Sequence, residues 1–296
     1  MRMNLRQVDA VGKSSLGVVV TGGTSGLGRA MAREFLLAGD RVVVCGRDRV
    51  RLDAAVRKLT SSVPGCELYG MACDVSLPEE VSAFAAFAVS KLGTIDRWIN
   101  NAGTAGRFRR PLWELDPKDI DETCRTNLSG TMMGCAEAVR VMRHQPFDGP
   151  GPRFHIFNMG FSLSGVRASP TAVPHRASKR AVALTTDFIR HELKSAGIDS
   201  IGVHELSPGL VLTGLLLKDA GVRERRLFNA VADTPDRAAA VLVPRIRSAR
   251  GSGGSVRIQP IIMMLARLFA SMFGFGRGRF FDDDGNRRNV DGRGAK

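Results

Sequence analysis

The chain has 296 residues, of which 44% are hydrophobic and 24% charged, so it can build one large α/β core without metal or disulfides. Its 43 Lys and Arg residues exceed its 29 Asp and Glu residues, and the net charge of +14 favours anionic partners. Because the arginines are spread along the chain and accompany no zinc-finger or RNA-binding motif, specific nucleic-acid recognition is not expected.

The cysteines and the hydropathy exclude further classes. Five cysteines form no CxxC or CxxH pair, which predicts free thiols in a reducing compartment and no metal site. No uncharged apolar run reaches the roughly 18 residues of a membrane span. The N-terminus lacks the apolar core of a signal peptide, and the alternative that a targeting segment has been lost from this sequence stays open.

Apolar strands alternate with helices along the chain. The predicted strands are Leu16–Thr21, Arg41–Cys45, Cys66–Cys73, Asp96–Ile99, Phe154–Asn158 and Ile201–Leu206. The predicted helices are Ala30–Ala38, Val50–Leu59, Glu79–Leu92, most of Asp116–Val141, and Ser178–Ala196. This alternation predicts an α/β fold with a Rossmann-type doubly wound parallel sheet, in three αβα layers.

The composition predicts three segments: an N-terminal segment (1–14), a nucleotide-binding domain (15–255) and a basic, apolar C-terminal helical tail (256–296). Arg250–Ser255, rich in Gly and Ser, is predicted to be a flexible hinge before the tail. In the tail, Pro260–Phe275 is predicted to be an apolar helix, flanked by arginines and too short to span a bilayer. It either lies on an anionic membrane or packs on the core or at a subunit interface.

A glycine-rich turn follows the first strand and opens the first helix, with the sequence TGGTSGLG at residues 21–28. Glycines let the backbone turn tightly and approach a pyrophosphate, whose charge then faces the N-terminus of the helix. The strand before the turn and the helix after it predict a dinucleotide site.

The second strand ends in Cys45-Gly46-Arg47, where an acidic residue would bind the 2′-hydroxyl of the adenosine ribose. A guanidinium suits a 2′-phosphate instead, so NADP(H) is favoured over NAD(H). Arg29 could add a second cation; the alternative for Arg47 is a solvated surface arginine.

Five spaced motifs resemble the short-chain dehydrogenase/reductase family over roughly residues 15–250. They are TGGTSGLG (21–28), Asp74-Val75, Asn100-Asn101-Ala102-Gly103, Asn127, and Ser207-Pro208-Gly209 with Thr213. The resemblance implies that Asp74 and Val75 hold the adenine, that Asn101–Gly103 line the cofactor, and that Thr213 lies near its carboxamide and phosphates. The cofactor-binding set is then Thr21, Gly22, Thr24, Ser25, Gly26, Leu27, Gly28, Arg47, Asp74, Val75, Asn101, Ala102, Gly103, Lys179, Pro208, Gly209 and Thr213.

The resemblance also implies an Asn-Ser-Tyr-Lys catalytic set, in which tyrosine protonates the carbonyl oxygen and lysine lowers the pKa of that tyrosine. Asn127 and Lys179 match, but the tyrosine position, four residues before the lysine, holds His175. The only tyrosine, Tyr69, lies in the third strand. The serine is either Ser162 or Ser164, thirteen and eleven residues before His175.

A narrower resemblance, to plastid chlorophyll b reductases, extends into the tail. It rests on Phe157-Asn158-Met159, Ser164-Gly165, Thr185, Leu206–Gly209, Leu212-Thr213, Leu215–Leu217, Phe228-Asn229, Leu242–Arg245 and Phe280–Asp283. It places the serine at Ser164 and implies reduction of the formyl group of chlorophyll b to hydroxymethyl. The chain departs from the pattern at Gly160, Phe161, Leu163 and His175.

The leading hypothesis is therefore an NADPH-dependent reductase of an apolar tetrapyrrole, in the chloroplast stroma or on the thylakoid surface. The resemblance leaves open a peripheral contact with an anionic membrane or antenna complex, and a homo-oligomer or a complex with a homologous reductase. The alternatives are a non-catalytic NADP(H)-binding partner and a reductase of another lipophilic carbonyl. With His175 as the acid, weak activity is expected to rise as imidazolium forms near or below pH 6.5.

Overall fold

The computed structural model describes residues 15–161, 166, 169, 171–218, 220–258, 266, 269–270 and 278–288. Its centre is a sheet of seven parallel strands in the order β3-β2-β1-β4-β5-β6-β7. The strands are Gly17–Val20 (β1), Arg41–Gly46 (β2), Leu68–Ala72 (β3), Arg97–Asn100 (β4), Phe154–Met159 (β5), Ile201–Ser207 (β6) and Gly253–Arg257 (β7).

Helices connect the strands and cover both faces of the sheet. They are Gly26–Leu37 (α1), Arg49–Ser62 (α2), Pro78–Leu92 (α3), Pro117–Cys124 (α4), Gly130–Met142 (α5), Val173–Ser195 (α6), Gly214–Leu217 (α7), Val222–Val231 (α8) and Pro235–Arg247 (α9). Local chemistry sets several of their starts: the side chains of Asp48, Asp116 and Thr234 accept backbone N–H bonds in the first turns of α2, α4 and α9.

Two apolar cores lie on opposite faces of the sheet, because its central strands are buried on both sides. One core joins the sheet to α1, α2 and α9, with Phe35, Leu52 and Leu242 among its buried members. The other joins it to α3, α5 and α6, with Phe84 and Trp98 at its centre. The three-layer doubly wound fold predicted from the sequence is confirmed.

Two predicted helices have different bounds in the structure. The helix predicted at Ser178–Ala196 begins at Val173, where Pro174 occupies the first turn, so His175 and Lys179 lie on one helix a turn apart. The helix predicted across Asp116–Val141 is interrupted by a π-helical turn at Arg125–Ser129. Such turns widen the helical ring by one residue and are common at functional sites.

The prediction of a flexible hinge at Arg250–Ser255 is wrong in its second half. Gly253–Arg257 forms β7, which pairs with β6 from Val203↔Gly253 to Ser207↔Arg257. The Gly and Ser content suggested a linker, but the backbone ladder to β6 decides the conformation at this edge of the sheet. The proposed tail boundary after residue 255 therefore falls inside a strand.

The last described segment, 278–288, packs back onto the domain. Phe280 and Phe281 are buried against Leu212, Leu216 and Phe228. The apolar helix predicted at Pro260–Phe275 lies outside the described residues, apart from 266 and 269–270.

Asn229 of α8 holds this segment in place. Its Oδ1 accepts the backbone N–H bonds of Phe280 and Phe281 at 2.8 and 2.9 Å, and its Nδ2 donates to the Phe281 carbonyl at 2.8 Å. The C-terminal segment is thus fastened to the helix by three buried hydrogen bonds as well as by apolar contact. Within the described part of the chain, no helix combines the length and apolar character needed to cross a bilayer.

Candidate active site

A cleft of about 690 Å³ opens at the carboxyl ends of the strands. It lies over the point between β1 and β4 where the strand order reverses, the place where open α/β sheets bind ligands. Its walls run from Arg47 at one end, past the glycine-rich turn, to His175 and Lys179 at the other.

The glycine-rich turn is shaped for a close ligand. Gly22 and Gly26 have φ of +68° and +53°, conformations that favour glycine. A Cβ added at Gly28 would lie 2.3 Å from the Gly22 carbonyl oxygen, so the turn and the start of α1 touch through bare backbone. Ser25 occupies the N-cap of α1, but its side chain makes no capping bond. The first-turn amides of α1 therefore suit an anionic group such as a pyrophosphate.

Thr21, included in the predicted cofactor set, does not line the cleft. Its Oγ1 accepts the N–H bonds of Asn101 and Ala102, both at 3.0 Å. The Asn101 Nδ2 donates back to the Thr21 and Gly22 carbonyls at 2.8 and 3.2 Å. Thr21 thus fastens the end of β1 to the loop after β4 and supports the turn from behind.

Two exposed arginines line the far end of the cleft. Arg47 follows β2 as predicted, and Arg51, one turn into α2, lies beside it. Asp48 also lines this end, but its Oδ1 accepts the Arg51 N–H bond at 3.0 Å as the N-cap of α2. Arg29, the second cation suggested by the sequence, is not among the lining residues; Arg51 holds that place.

The other predicted cofactor residues line the cleft between these ends. They are Gly22, Thr24, Ser25, Gly26, Leu27, Gly28, Asp74, Val75, Asn101, Ala102, Gly103, Lys179, Pro208, Gly209 and Thr213. Asp74 is held by Ser76, whose N–H and hydroxyl donate to its Oδ1 at 2.9 and 2.7 Å. A Cβ at Gly103 would lie 3.2 Å from the Lys179 Nζ, so this position also depends on bare backbone.

Asn127 lies behind the cleft, fully buried in the π-helical turn. Its Oδ1 accepts the Thr104 N–H bond at 2.8 Å, and its Nδ2 donates to the Thr104 carbonyl and to Ser178 Oγ at 2.9 and 3.0 Å. These bonds join the loop after β4 to α6. The side chain therefore positions the elements that carry Lys179 and does not itself line the cleft.

Lys179 and His175 line the cleft from α6. Burial lowers the pKa of Lys179 to about 8. Burial, with a smaller contribution from the Lys179 charge, lowers the pKa of His175 to about 3. The sequence predicts that the His175 imidazole ionises near or below pH 6.5. In the structure its pKa is far lower, so His175 is neutral at neutral pH.

Two hydroxyl groups form a hydrogen-bonded chain that ends at His175, and the sequence analysis predicted neither of them. Thr171 Oγ1 lies 2.7 Å from His175 Nδ1, and Ser169 Oγ lies 2.9 Å from Thr171 Oγ1. The Phe161 ring meets the imidazole edge to face, at 5.4 Å between centroids. The sequence did contain one signal for this contact: Thr171 lies four residues before His175, near the start of α6. Ser162 and Ser164, the two candidate serines, lie outside the described residues.

Residues 210–218, here called the lid, border the end of the cleft that holds His175. Leu210, Val211, Leu215 and Leu216 line the cleft here, and the Thr213 hydroxyl caps α7 by accepting the Leu216 N–H bond at 3.4 Å. Arg109, in the loop after β4, donates to Glu224 of α8 at 2.9 Å in a two-pronged ion pair. Lys218 donates to the Gly106 carbonyl at 3.0 Å. The lid is therefore tied across the cleft mouth to the β4 loop.

Comparison with known proteins agrees with this geometry. The short chain dehydrogenase family profile matches residues 17–220, and the chain belongs to that family. The chain is similar to the probable chlorophyll(ide) b reductase NYC1, chloroplastic, of Oryza sativa subsp. japonica, at 38% identity over 90% of this chain and 54% of the relative. It is also similar to the chlorophyll(ide) b reductase NOL, chloroplastic, of the same plant, at 35% identity over 90% of this chain and 78% of the relative.

The chain thus spans about half the length of the first relative. Among solved structures, a metagenomic short-chain oxidoreductase in complex with NADP matches with a TM-score of 0.62 and 28% identity, over 83% of this chain and 99% of that one. A short chain dehydrogenase/reductase from Burkholderia phymatum in complex with NAD matches in fold, with a TM-score of 0.68 and 24% identity, over 95% and 98% of the two chains.

Proposed function

We propose that this chain is an NADPH-dependent reductase that converts the formyl group of chlorophyll b, or of a closely related tetrapyrrole, to hydroxymethyl. The observation that carries the proposal is the cleft that brings Lys179 and His175 to the glycine-rich turn. The named activity of the relatives similar to this chain over 90% of its length supports the substrate.

The choice of NADP(H) over NAD(H) rests on charge. Arg47 and Arg51 line the end of the cleft where an adenosine ribose would lie. Asp48 lines the same end, and its Oδ1 accepts a backbone N–H bond as a helix cap. Two guanidinium groups at this end favour a 2′-phosphate over a 2′-hydroxyl.

The site residues divide the chemistry between them. Bound NADPH would supply a hydride to the carbonyl carbon. The α1 amides and the arginines would hold its phosphates, and Lys179 would hold its ribose. His175, the nearest described counterpart of the family tyrosine, would donate a hydrogen bond to the carbonyl oxygen.

The apolar lining of the substrate end fits a large hydrophobic molecule. Met159 and Phe161 line it together with the lid leucines and Val211. Such walls bind an apolar macrocycle by removing its surface from water, and the few polar groups fix its orientation.

The observation that favours a second candidate is the neutral state of His175. A site without a strong acid suits a non-catalytic NADP(H)-binding partner of an active reductase. A reductase of another lipophilic carbonyl would share the same cleft. Because the relatives are named as chloroplastic, we extend the proposal to a plastid location, in the stroma or on the thylakoid surface.

The test is incubation of the protein with chlorophyll b and NADPH, followed by chromatography of the pigment. We expect a hydroxymethyl product with NADPH, much less with NADH, and none with Lys179→Met. Turnover of other lipophilic aldehydes or ketones but not of chlorophyll b would overturn the substrate. NADPH binding without turnover of any carbonyl would favour the non-catalytic partner.

A further inference from the structure

The neutral state of His175 poses a chemical problem for the proposed reduction. A neutral imidazole has a single N–H, and giving that proton away alone would leave an anionic ring. His175 is 2% exposed, and burial penalises charged forms. The ring can donate a proton at one nitrogen only if a proton reaches the other nitrogen at the same time.

The geometry supplies a route to that other nitrogen. Thr171 Oγ1 lies 2.7 Å from His175 Nδ1, and Ser169 Oγ lies 2.9 Å from Thr171 Oγ1. These are ordinary distances for hydrogen bonds to hydroxyl groups. Since Thr171 holds Nδ1, the nitrogen left for a molecule in the cleft is Nε2. All three residues line the cleft.

A helix cap would be the ordinary role for a threonine at this place. The N-cap of α6, however, is Ala172, and it has no side-chain capping bond. In the described part of the chain, the Thr171 hydroxyl contacts only His175 and Ser169, and the Ser169 hydroxyl contacts only Thr171. Both hydroxyls are thus directed along the chain to the imidazole and not to the helix backbone.

We propose that Ser169 and Thr171 form a proton relay that lets His175 protonate the reduced carbonyl oxygen. This relay rests on the proposed reductase function. Each hydroxyl can accept one hydrogen bond while it donates another. The hydrogen bonds can therefore all run towards His175 or all run away from it, which gives two polarities. With Thr171 donating to Nδ1, the ring presents Nε2–H to the cleft, as reduction requires.

The proton balance closes over the whole chain. Once the formyl carbon has gained a hydride, the former C=O π electrons lie on oxygen, and this oxygen takes the Nε2 proton. The Thr171 proton moves to Nδ1, the Ser169 proton moves to Thr171 Oγ1, and an acid of the solvent protonates Ser169. One proton is consumed per carbonyl reduced. The ring ends as the Nδ1–H tautomer, whose free Nε2 suits the reverse reaction, and exchange with solvent restores the first polarity.

The kinetic test compares Thr171→Val with the matched control Thr171→Ser. Valine keeps the shape and removes the hydroxyl, whereas serine keeps the hydroxyl. We expect valine to lower kcat by about 10²-fold or more, the scale of acid–base catalysis, and serine to retain most of it. The Kd for NADPH should stay the same in both. An unchanged kcat in Thr171→Val, or equal damage by the two substitutions, would overturn the relay.

A second measurement needs no turnover. The protein is labelled with ¹⁵N-histidine and loaded with NADPH, and the NMR chemical shift of His175 Nδ1 is measured. This resonance is assigned by its loss in His175→Gln, and its shift reports the hydrogen bond from Thr171. We expect Thr171→Val to move this shift and Thr171→Ser to preserve it; identical shifts in all three proteins would contradict the relay. If the shift responds as expected and another lipophilic carbonyl is reduced in place of chlorophyll b, the substrate proposal fails and the relay stands; if no carbonyl is reduced, the hydrogen bond remains and the relay fails with the reductase function. Should Thr171→Val not fold, Ser169→Ala removes the next hydroxyl and is expected to lower kcat with NADPH binding intact.

Discussion

The two ends of the cleft are built in different ways. The cofactor end rests largely on backbone, with bare glycines, uncapped amides at the start of α1 and a β4 loop fastened by Thr21, and two arginines line its far edge. The substrate end consists of side chains: His175 with its hydroxyl partners, and a lid held by Asn229 and an Arg109–Glu224 ion pair. Backbone geometry tolerates few substitutions, whereas a side-chain site can change its chemistry one residue at a time. This chain keeps the glycine-rich pattern at the first end and carries His175 at the second.

The largest effect is expected from Gly28→Ala at the cofactor end. Alanine favours a helix by about 1 kcal/mol over glycine. Its Cβ, however, would meet the Gly22 carbonyl at 2.3 Å and the Asn101 side chain at 2.4 Å, so the turn must move. We expect NADPH binding to be lost in fluorescence titrations. Gly251→Ala is the control, since its Cβ has 3.8 Å of room. Unchanged NADPH affinity in Gly28→Ala would mean that the backbone cradle is not the cofactor site.

The next largest effect concerns the choice of cofactor. A charged, two-pronged contact contributes about 1.5–3 kcal/mol, so NADPH should bind roughly tenfold or more tightly than NADH. Arg47→Asp should reverse the order, whereas Arg29→Asp, a charge change outside the cleft lining, should not. Calorimetric Kd values for the two cofactors make the comparison. Equal affinities in the unaltered protein would remove the role given to Arg47.

A smaller effect is expected at the lid. Asn229→Leu removes three buried hydrogen bonds to the C-terminal segment. We expect the free energy of unfolding to fall by about 1–3 kcal/mol. We also expect the KM for the carbonyl substrate to rise several-fold. The Kd for NADPH should change little, because segment 278–288 does not line the cleft. The control is Leu227→Ala on the exposed side of the same helix. An equal loss of NADPH affinity would show that the two ends are not independent.

The smallest effect is expected at the surface beside the cleft mouth. Trp113 is 85% exposed, and the exposed Arg110 and Phe108 precede it in the β4 loop. If anionic membranes are partners, co-sedimentation with anionic vesicles should weaken with salt and in Trp113→Ser. Neutral vesicles are the control. Deletion from residue 256 is unsuitable for this test, because it would cut β7 and remove the docked segment 278–288.

The sequence predicted the features that depend on local pattern. Six of the strands, the glycine-rich turn and the position of Arg47 all follow from short runs whose residue types suit only one conformation or contact. The family and the fold predicted from these motifs are confirmed. The preference for NADP(H) and the catalytic roles stay predictions.

The features that the sequence did not predict depend on distant contacts. β7 is a Gly- and Ser-rich strand that exists because β6 pairs with it. Asn229 and Phe281 meet across 52 residues, so neither reveals the other in the sequence. The chain from Ser169 to His175 is local, yet no motif marks it, since hydroxyl residues are common before helices and only the distances show where they point.

The central claim is that a neutral imidazole, that of His175, occupies the position of the proton donor. A measurement of the pKa of His175 tests this claim most directly. The measurement is the pH dependence of the His175 ring resonances in the folded protein, between about pH 8 and about pH 5, against the reference pKa of ~6.5. The pKa of His175 is lowered to about 3 by its burial and by Lys179, so these resonances should not titrate in that range. A midpoint for His175 near 6.5 would contradict the neutral donor and the relay that it requires.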